Sequence, residues 1–240
     1  MASSSTDLRW RPAAAEMIAV FFFVFVGAGT VVLTGNMTGG SMDGGRLLAI
    51  AFAHGLLIAV LVAATAHLSG GHLNPVVTFT MVITKRLSLA QGSMYIGGQL
   101  IGASLGALTL AFVLPSALGG GVGGGAGTLG SHAIGAGVEQ WQALIIEGIL
   151  TAVLVFVVFS AAMDRRGIGT MAPLTIGLAV LVGDLMGWSL TGASMNPART
   201  LGPALAANAW ADHWVYWVGP LAGGTVAAGV YHHVFRTDES

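Results

Sequence analysis

A ten-residue phrase occurs twice in this chain, and each copy places a helix start where a helix has little reason to start. The first copy reads Ser69-Gly70-Gly71-His72-Leu73-Asn74-Pro75-Val76-Val77-Thr78, and the second Thr191-Gly192-Ala193-Ser194-Met195-Asn196-Pro197-Ala198-Arg199-Thr200. Both begin small and Gly-rich, pass through Asn-Pro into a helix-compatible run, and lie between long apolar stretches. Proline suits the first turn of a helix, where its missing N–H is no loss. The preceding Asn can cap that turn and leave amide hydrogens free to face a cavity. The helical runs that follow, 74–83 and 196–206, are too short to cross a bilayer, which takes about 20 residues. Non-helical backbone at membrane depth is tolerated only when it is buried in protein or lines a cavity. Two such elements in corresponding halves therefore mark a path through the membrane.

The bilayer itself is read from composition. Hydrophobic residues make up 55% of the chain and charged residues 8%, against about 25% charged in an average soluble domain. Apolar runs fall at 12–34, 46–67, 92–115, 141–163, 170–190 and 213–235. The fold class is thus an all-α membrane protein with six transmembrane helices and two re-entrant half-helices. The 240 residues form a single membrane channel domain, with no room for a large extramembrane one. Glu16 inside the first run reads as part of a retained helix rather than a cleaved signal peptide. With no cysteine there is no disulfide framework and no thiol nucleophile. A net charge of -1 offers no nucleic-acid surface. No metal-ligand cluster, nucleophile-base pair or phosphate loop is visible, so neither a metal, a cofactor nor an enzyme activity is expected.

The duplication extends beyond the boxes. Glu16 opens Glu-Met-Ile-Ala-Val-Phe-Phe-Phe-Val-Phe-Val, and Glu147 opens Glu-Gly-Ile-Leu-Thr-Ala-Val-Leu-Val-Phe-Val. The halves are 12–115 and 141–235, joined by a Gly-rich external loop at 116–140. Three spans per half is an odd number, so the second copy enters the membrane inverted and the half-helices meet N-terminus to N-terminus near the midplane. An excess of Lys and Arg marks the cytoplasmic side. Placing both termini there collects Arg9, Arg11, Lys85, Arg86, Arg165, Arg166 and Arg236, leaving Arg46 outside and Arg199 within the membrane. The glycines from Gly119 to Gly130 read as a flexible connection.

These residues resemble the aquaporin, or major intrinsic protein, family over essentially Ala13 to Tyr231. The likeness rests on two Asn-Pro-[Ala/Val] boxes inside six spans, with Arg199 three residues after Asn196. It is nearest the tonoplast intrinsic subfamily through Ser69-Gly-Gly-His-Leu-Asn-Pro, Ser194-Met-Asn-Pro-Ala-Arg and Tyr216-Trp-Val-Gly-Pro. The resemblance implies a passive channel for water and small neutral solutes such as ammonia, urea or hydrogen peroxide. It also implies a homotetramer with one pore per subunit, in a plasma or vacuolar membrane. It assigns Asn74, Pro75, Val76, Asn196, Pro197 and Ala198 to the pore midplane, and His54, Asp184, Ala193 and Arg199 to the outer selectivity filter. His132 would supplement that filter from the external loop, while Glu16 and Glu147 would support the re-entrant loops. A glycerol-type facilitator is the alternative; Thr200, Ala204, Tyr216 and Trp217 resemble the water-channel pattern instead.

Physics gives the same residues work. Each half-helix N-terminus carries about half a positive charge, so two facing each other at the midplane oppose cations. Asn74 and Asn196 would each donate to a passing water oxygen, turning its hydrogens away from its neighbours and interrupting proton hopping. The competing reading is that both only cap their helices. Arg199 at mid-membrane costs about 2.5–3.5 kcal/mol on insertion scales and so faces a cavity or a partner. His54 competes with a merely hydrogen-bonded helix histidine, His132 with an ordinary loop residue. His67 and His72 flank the cytoplasmic approach, as vestibule or as backbone partners. Two residues depart from the family pattern. Val76 replaces the usual Ala and is expected to add bulk where the half-helices touch and to shift Asn74. Asp184 puts an acid in the filter, where it is expected to pair with Arg199 or His54.

Overall fold

The structure is a computed structural model that describes residues 10–124 and 128–235. Arg9 and Arg236, two of the residues used for orientation, lie outside them. All regular structure among the described residues is helical: α1 Trp10–Met37, α2 Gly44–Ser69, α3 Pro75–Ile83, α4 Leu89–Val113, α5 Gln140–Val158, α6 Ala172–Thr191, α7 Pro197–Ala207 and α8 Val215–Val230. Five segments are long and apolar enough to cross a membrane: α1, α2, α4, α5 with the turn that follows it, and α6 with the turn that precedes it. The sixth expected span is shorter, being the 16 residues of α8 continued by a five-residue π turn, Tyr231–Phe235.

Inverted duplication is written into the contacts. In the first half α1 packs along α4, in the second α5 packs along α8, and α2 against α6 joins the two. The half-helices reach across the halves: α7 lies mainly against α4, and α3 packs against α4 of its own half and α8 of the other. Close crossings run through two pairs of glycines four apart, Gly102 with Gly106 and Gly219 with Gly223. Gly102 faces the Met17 backbone and Gly223 the Gly148 backbone, so a methyl on either would overlap main chain. Such stripes let helices approach closely where apolar lipid supplies no drive for apolar side chains to associate. Outward faces carry Phe22, Phe52, Val60, Ile149 and Val182, all exposed, a surface suited to lipid and unsuited to water.

Both non-helical entrances begin with a left-handed glycine. Gly70 (φ 96°) ends α2 with its N–H on Ala66 O, and Gly192 (φ 82°) ends α6 with its N–H on Trp188 O. The chain then doubles back into α3 and α7, each with Asn at the cap and Pro at the first helical position.

Two expectations are corrected here. Composition marked the Gly-rich connection as flexible, yet its described part is tied down. Gly121 N–H donates to Ala111 O and Gly123 N–H to Ala206 O, both at 2.8 Å, while Asn36 Nδ2 donates to Leu118 O at 3.1 Å. The turn Thr128–Gly130 tucks against α1, with Leu129 1% exposed. Gly130 (φ 68°) comes so near that a Cβ there would stand 2.8 Å from Ala28 Cα. Glycine in this segment buys close approach, where composition alone reads as slack. Arg46, near the start of α2, is likewise bound, reaching Gly40 O, Ser41 O and Val31 O at 2.9–3.2 Å.

The second correction concerns Val76. Its extra bulk points away from the path, because Val76 is fully buried and its Cγ1 fills the space left by Gly224 on α8. Asn74 keeps its cap, accepting from Val76 N–H at 2.9 Å. Gly224→Ala is therefore expected to destabilise the fold by about 1–3 kcal/mol through overpacking. Thermal unfolding in detergent would register the loss, and adding Val76→Ala should recover most of it.

Candidate functional site: a pore built from two facing half-helices

Backbone N–H groups in the loops leading to α3 and α7 have no helical partner, and a buried carboxylate meets each set. Glu16 Oε1 accepts from Ser69 Oγ (2.6 Å) and His72 N–H (2.9 Å); its Oε2 accepts from Leu73 N–H (2.7 Å) and Gln99 Nε2 (2.8 Å). Glu147 repeats this, with Oε1 accepting from Thr191 Oγ1 (2.7 Å) and Ser194 N–H (2.9 Å), and Oε2 from Met195 N–H (2.9 Å). A tyrosine closes each loop from behind: Tyr95 donates to Ser69 O at 3.0 Å and Tyr216 to Thr191 O at 2.9 Å. Glu16 and Glu147 are wholly buried, and each holds several donors at once, the condition under which a charge can be kept from water.

Held this way, the residue before each Asn takes a left-handed conformation, Leu73 at φ 52° and Met195 at φ 51°, which costs of order 1–3 kcal/mol apiece. Their carbonyls are thereby offered to the opposite box. Asn74 Nδ2 donates to Met195 O and Asn196 Nδ2 donates to Leu73 O, both at 2.8 Å. Each Asn Oδ1 meanwhile caps its own helix, on Val76 N–H in one box and on Ala198 and Arg199 N–H in the other. An amide nitrogen carries two hydrogens, so one remains on each Asn after these bonds.

That remaining hydrogen has somewhere to point. Asn74 and Asn196 line a cavity of about 380 Å³ that reaches Gly169 and Thr170 at the α5–α6 connection. Its walls include Ile58, Val62, Val77, Leu154 and Val180, with His72 among the few polar side chains. His72 Nδ1 is 3.1 Å from Thr78 Oγ1; His67 is exposed and is not part of this lining. Of the six midplane residues, Pro75, Val76, Pro197 and Ala198 are buried away from the cavity and only the two Asn reach it.

On the other side of the Asn pair, three of the four filter residues join in one chain of contacts. Arg199 Nε donates to His54 Nε2 at 3.3 Å, and Arg199 Nη1 donates to Gly130 O at 2.9 Å. Accepting at Nε2 puts the His54 proton on Nδ1, which lies 3.0 Å from Asp184 Oδ2 and 3.1 Å from Ile50 O. Asp184 therefore engages His54, and through it Arg199. All three are at most 3% exposed. Arg199 Nη2 has no protein partner. Ala193 (φ 48°), the fourth, packs against Gly187 and donates its N–H to Thr191 Oγ1. His132 joins from the loop: it is buried, its Nδ1 is 2.8 Å from Thr200 Oγ1, and its ring tilts against Tyr216.

One aromatic in this cluster escaped sequence reasoning. Trp188, one helical turn beyond Asp184 on α6, stacks on His54 with centroids 5.5 Å apart and meets His132 edge-on at 6.3 Å. Its spacing of four from Asp184, which puts both on one helix face, was the available signal. Gln99, Tyr95 and Tyr216 were missed as loop supports, although the two tyrosines sit at matching places in the repeats.

Comparison with known proteins agrees with this geometry. The family model described as "Major intrinsic protein" matches residues 2–231. The chain belongs to the major intrinsic protein family. Aquaporin TIP4-4 from Zea mays is 45% identical over 227 residues, covering 94% of this chain and 86% of that protein. Aquaporin TIP2-1 from Zea mays is 41% identical over 224 residues, covering 92% and 86%. Probable aquaporin TIP3-2 from Arabidopsis thaliana is 41% identical over 233 residues, covering 93% and 83%. The X-ray structure of the aquaglyceroporin from Plasmodium falciparum superposes with a TM-score of 0.78 at 22% identity, covering 94% of this chain and 96% of that one; it speaks to the fold alone. This is an aquaporin-type multi-pass membrane channel and a transport protein, not an enzyme.

His132 gives the site a pH signature. Burial pushes its pKa well below the ordinary value, and the Arg199 guanidinium pushes the same way. Above about pH 6.5 the unfolded chain also holds this imidazole neutral; below it, the unfolded chain takes up a proton the folded one refuses. The contribution of His132 to stability therefore declines as pH falls from 7 to 5. His132→Gln should show a smaller drop in thermal unfolding temperature over that interval than the parent protein does.

Proposed function

We propose that this chain conducts water passively, excludes protons and ions, and passes small neutral solutes of the ammonia, urea or hydrogen peroxide class. The observation that carries the reading is the reciprocal Asn74 and Asn196 pair lining a mostly apolar cavity. Apolar walls give water few resting places, so it moves until it meets the two amide donors. Those donors take its oxygen between two positive helix ends, which orients it against proton relay and repels cations. At the filter, Arg199 supplies donors to replace lost hydration and adds its own charge against cations.

Asp184 sets the solute range in this reading. Its carboxylate, acting through His54, offsets part of the Arg199 charge and keeps the filter polar on two sides, in place of one charged and one apolar wall. Small polar neutral molecules are then accepted along with water. The facilitator alternative gains no specific observation from the site. Both termini are assigned to the cytoplasmic side, the membrane to the vacuole or the plasma membrane, and the assembly to a homotetramer with one pore per subunit.

Proteoliposomes test the core of this. Stopped-flow shrinkage against an impermeant osmolyte should be severalfold faster than in empty vesicles, with an imposed pH gradient left standing. Water permeability at the level of empty vesicles would overturn the reading. For the solute range, Asp184→Ile should lower ammonia permeability relative to water severalfold; an unchanged ratio would assign Asp184 to structure alone. Native mass spectrometry in mild detergent should give a tetramer mass.

A further inference from the structure

We infer that Trp188 is a specificity-determining residue of this channel, the outermost wall of its filter, limiting the cross-section of what reaches Arg199. The inference rests on the channel reading above and concerns a residue that reading does not use.

The indole belongs to the filter by contact, since it touches two of its members from two different elements. Its ring lies over His54 from α2, 5.5 Å between centroids and 29° between planes, and meets His132 of the external loop at 6.3 Å and 63°. Both histidines are under 10% exposed and packed in the interior, so a ring in contact with both cannot be turned to lipid. Trp188 itself is only half-buried, which leaves part of its surface open on the side the histidines do not cover. It stands on the same face of α6 as Asp184, one turn nearer the end of the helix at Thr191. A solute approaching Arg199 and Asp184 from that end thus passes the indole first.

The surroundings hold the ring in place. His54 accepts from Arg199 at Nε2, and its Nδ1 stands 3.1 Å from Ile50 O and 3.0 Å from Asp184 Oδ2. His132 is fixed by Thr200, and its ring occupies the space above Gly192, where a methyl would meet Cδ2 at 2.6 Å. An aromatic seated on two anchored rings has little freedom to swing aside. What it adds beside the polar chain of His54, Asp184 and Arg199 is a bulky, anchored indole that narrows the approach. Water is small enough to clear the ring. A three-carbon polyol, which needs more width, is held back by it.

Glycerol is the probe. Full-length parent, Trp188→Ala and Trp188→Phe proteins are reconstituted, and osmotic water permeability and glycerol uptake are measured on the same vesicles. Trp188→Ala should raise the glycerol-to-water ratio by about fivefold or more, a barrier change of about 1 kcal/mol, and Trp188→Phe should restore most of the discrimination. The absence of native cysteine allows a second readout: Trp188→Cys introduces the sole thiol. A bulky methanethiosulfonate should then block its water flux and leave the parent untouched. An unchanged ratio in a water-conducting Trp188→Ala, or a Trp188→Cys that stays unblocked under the reagent, would overturn the inference while leaving the channel reading intact. A parent protein that fails to conduct water would overturn both.

Discussion

Everything in this fold hangs on keeping two stretches of irregular backbone at membrane depth. A loop N–H facing hydrocarbon costs several kcal/mol, and each loop has several of them in succession. The solution is one carboxylate per loop, Glu16 and Glu147, each bound to consecutive N–H groups and to a hydroxyl from the last residue of the helix just ended. Only with the loops so fixed can Leu73 and Met195 be kept left-handed and present their carbonyls across the midplane. The Asn side chains are placed by that exchange. The conducting geometry is therefore downstream of two side chains that do not touch the path.

The filter is organised on the opposite principle. Where the loops use charge to satisfy backbone, the filter passes polarity from one side chain to the next: Asp184 to His54, His54 to Arg199, Arg199 to the Gly130 carbonyl. A guanidinium with two of its nitrogens committed in this way is held in one orientation, leaving Nη2 as the one buried nitrogen without a protein partner. His54 can serve as the link because its two nitrogens face partners of opposite character, a donor on one side and acceptors on the other.

Much of this was legible in the sequence. The Asn-Pro boxes, their spacing and the alternation of long and short apolar runs fixed the six spans, the two half-helices and their inversion, because each of those is a statement about local periodicity and caps. Glu16 and Glu147 were legible as matched acids in matched helices. The Gly-rich connection was misread because composition reports the freedom of an isolated chain, while Gly130 is small in order to fit beside Ala28. The fate of Val76 depended on Gly224, a partner from a helix far along the chain that no local pattern links to it. Trp188 carried only its spacing of four from Asp184 as a signal: its neighbours come from α2 and from a loop, and only the folded chain brings them to one place.

The packing of half-helices across the two halves bears on how the protein is made. α3 packs against α4 of its own half and against α8 of the other, and Asn74 cannot complete its bonds until Met195 has been synthesised. Until then the first half carries a short helix that has α4 beside it and only part of its final packing. The Asn pair is completed only when the second box arrives, so a chain stalled before Met195 lacks the reciprocal bonds that place Asn74 at the path.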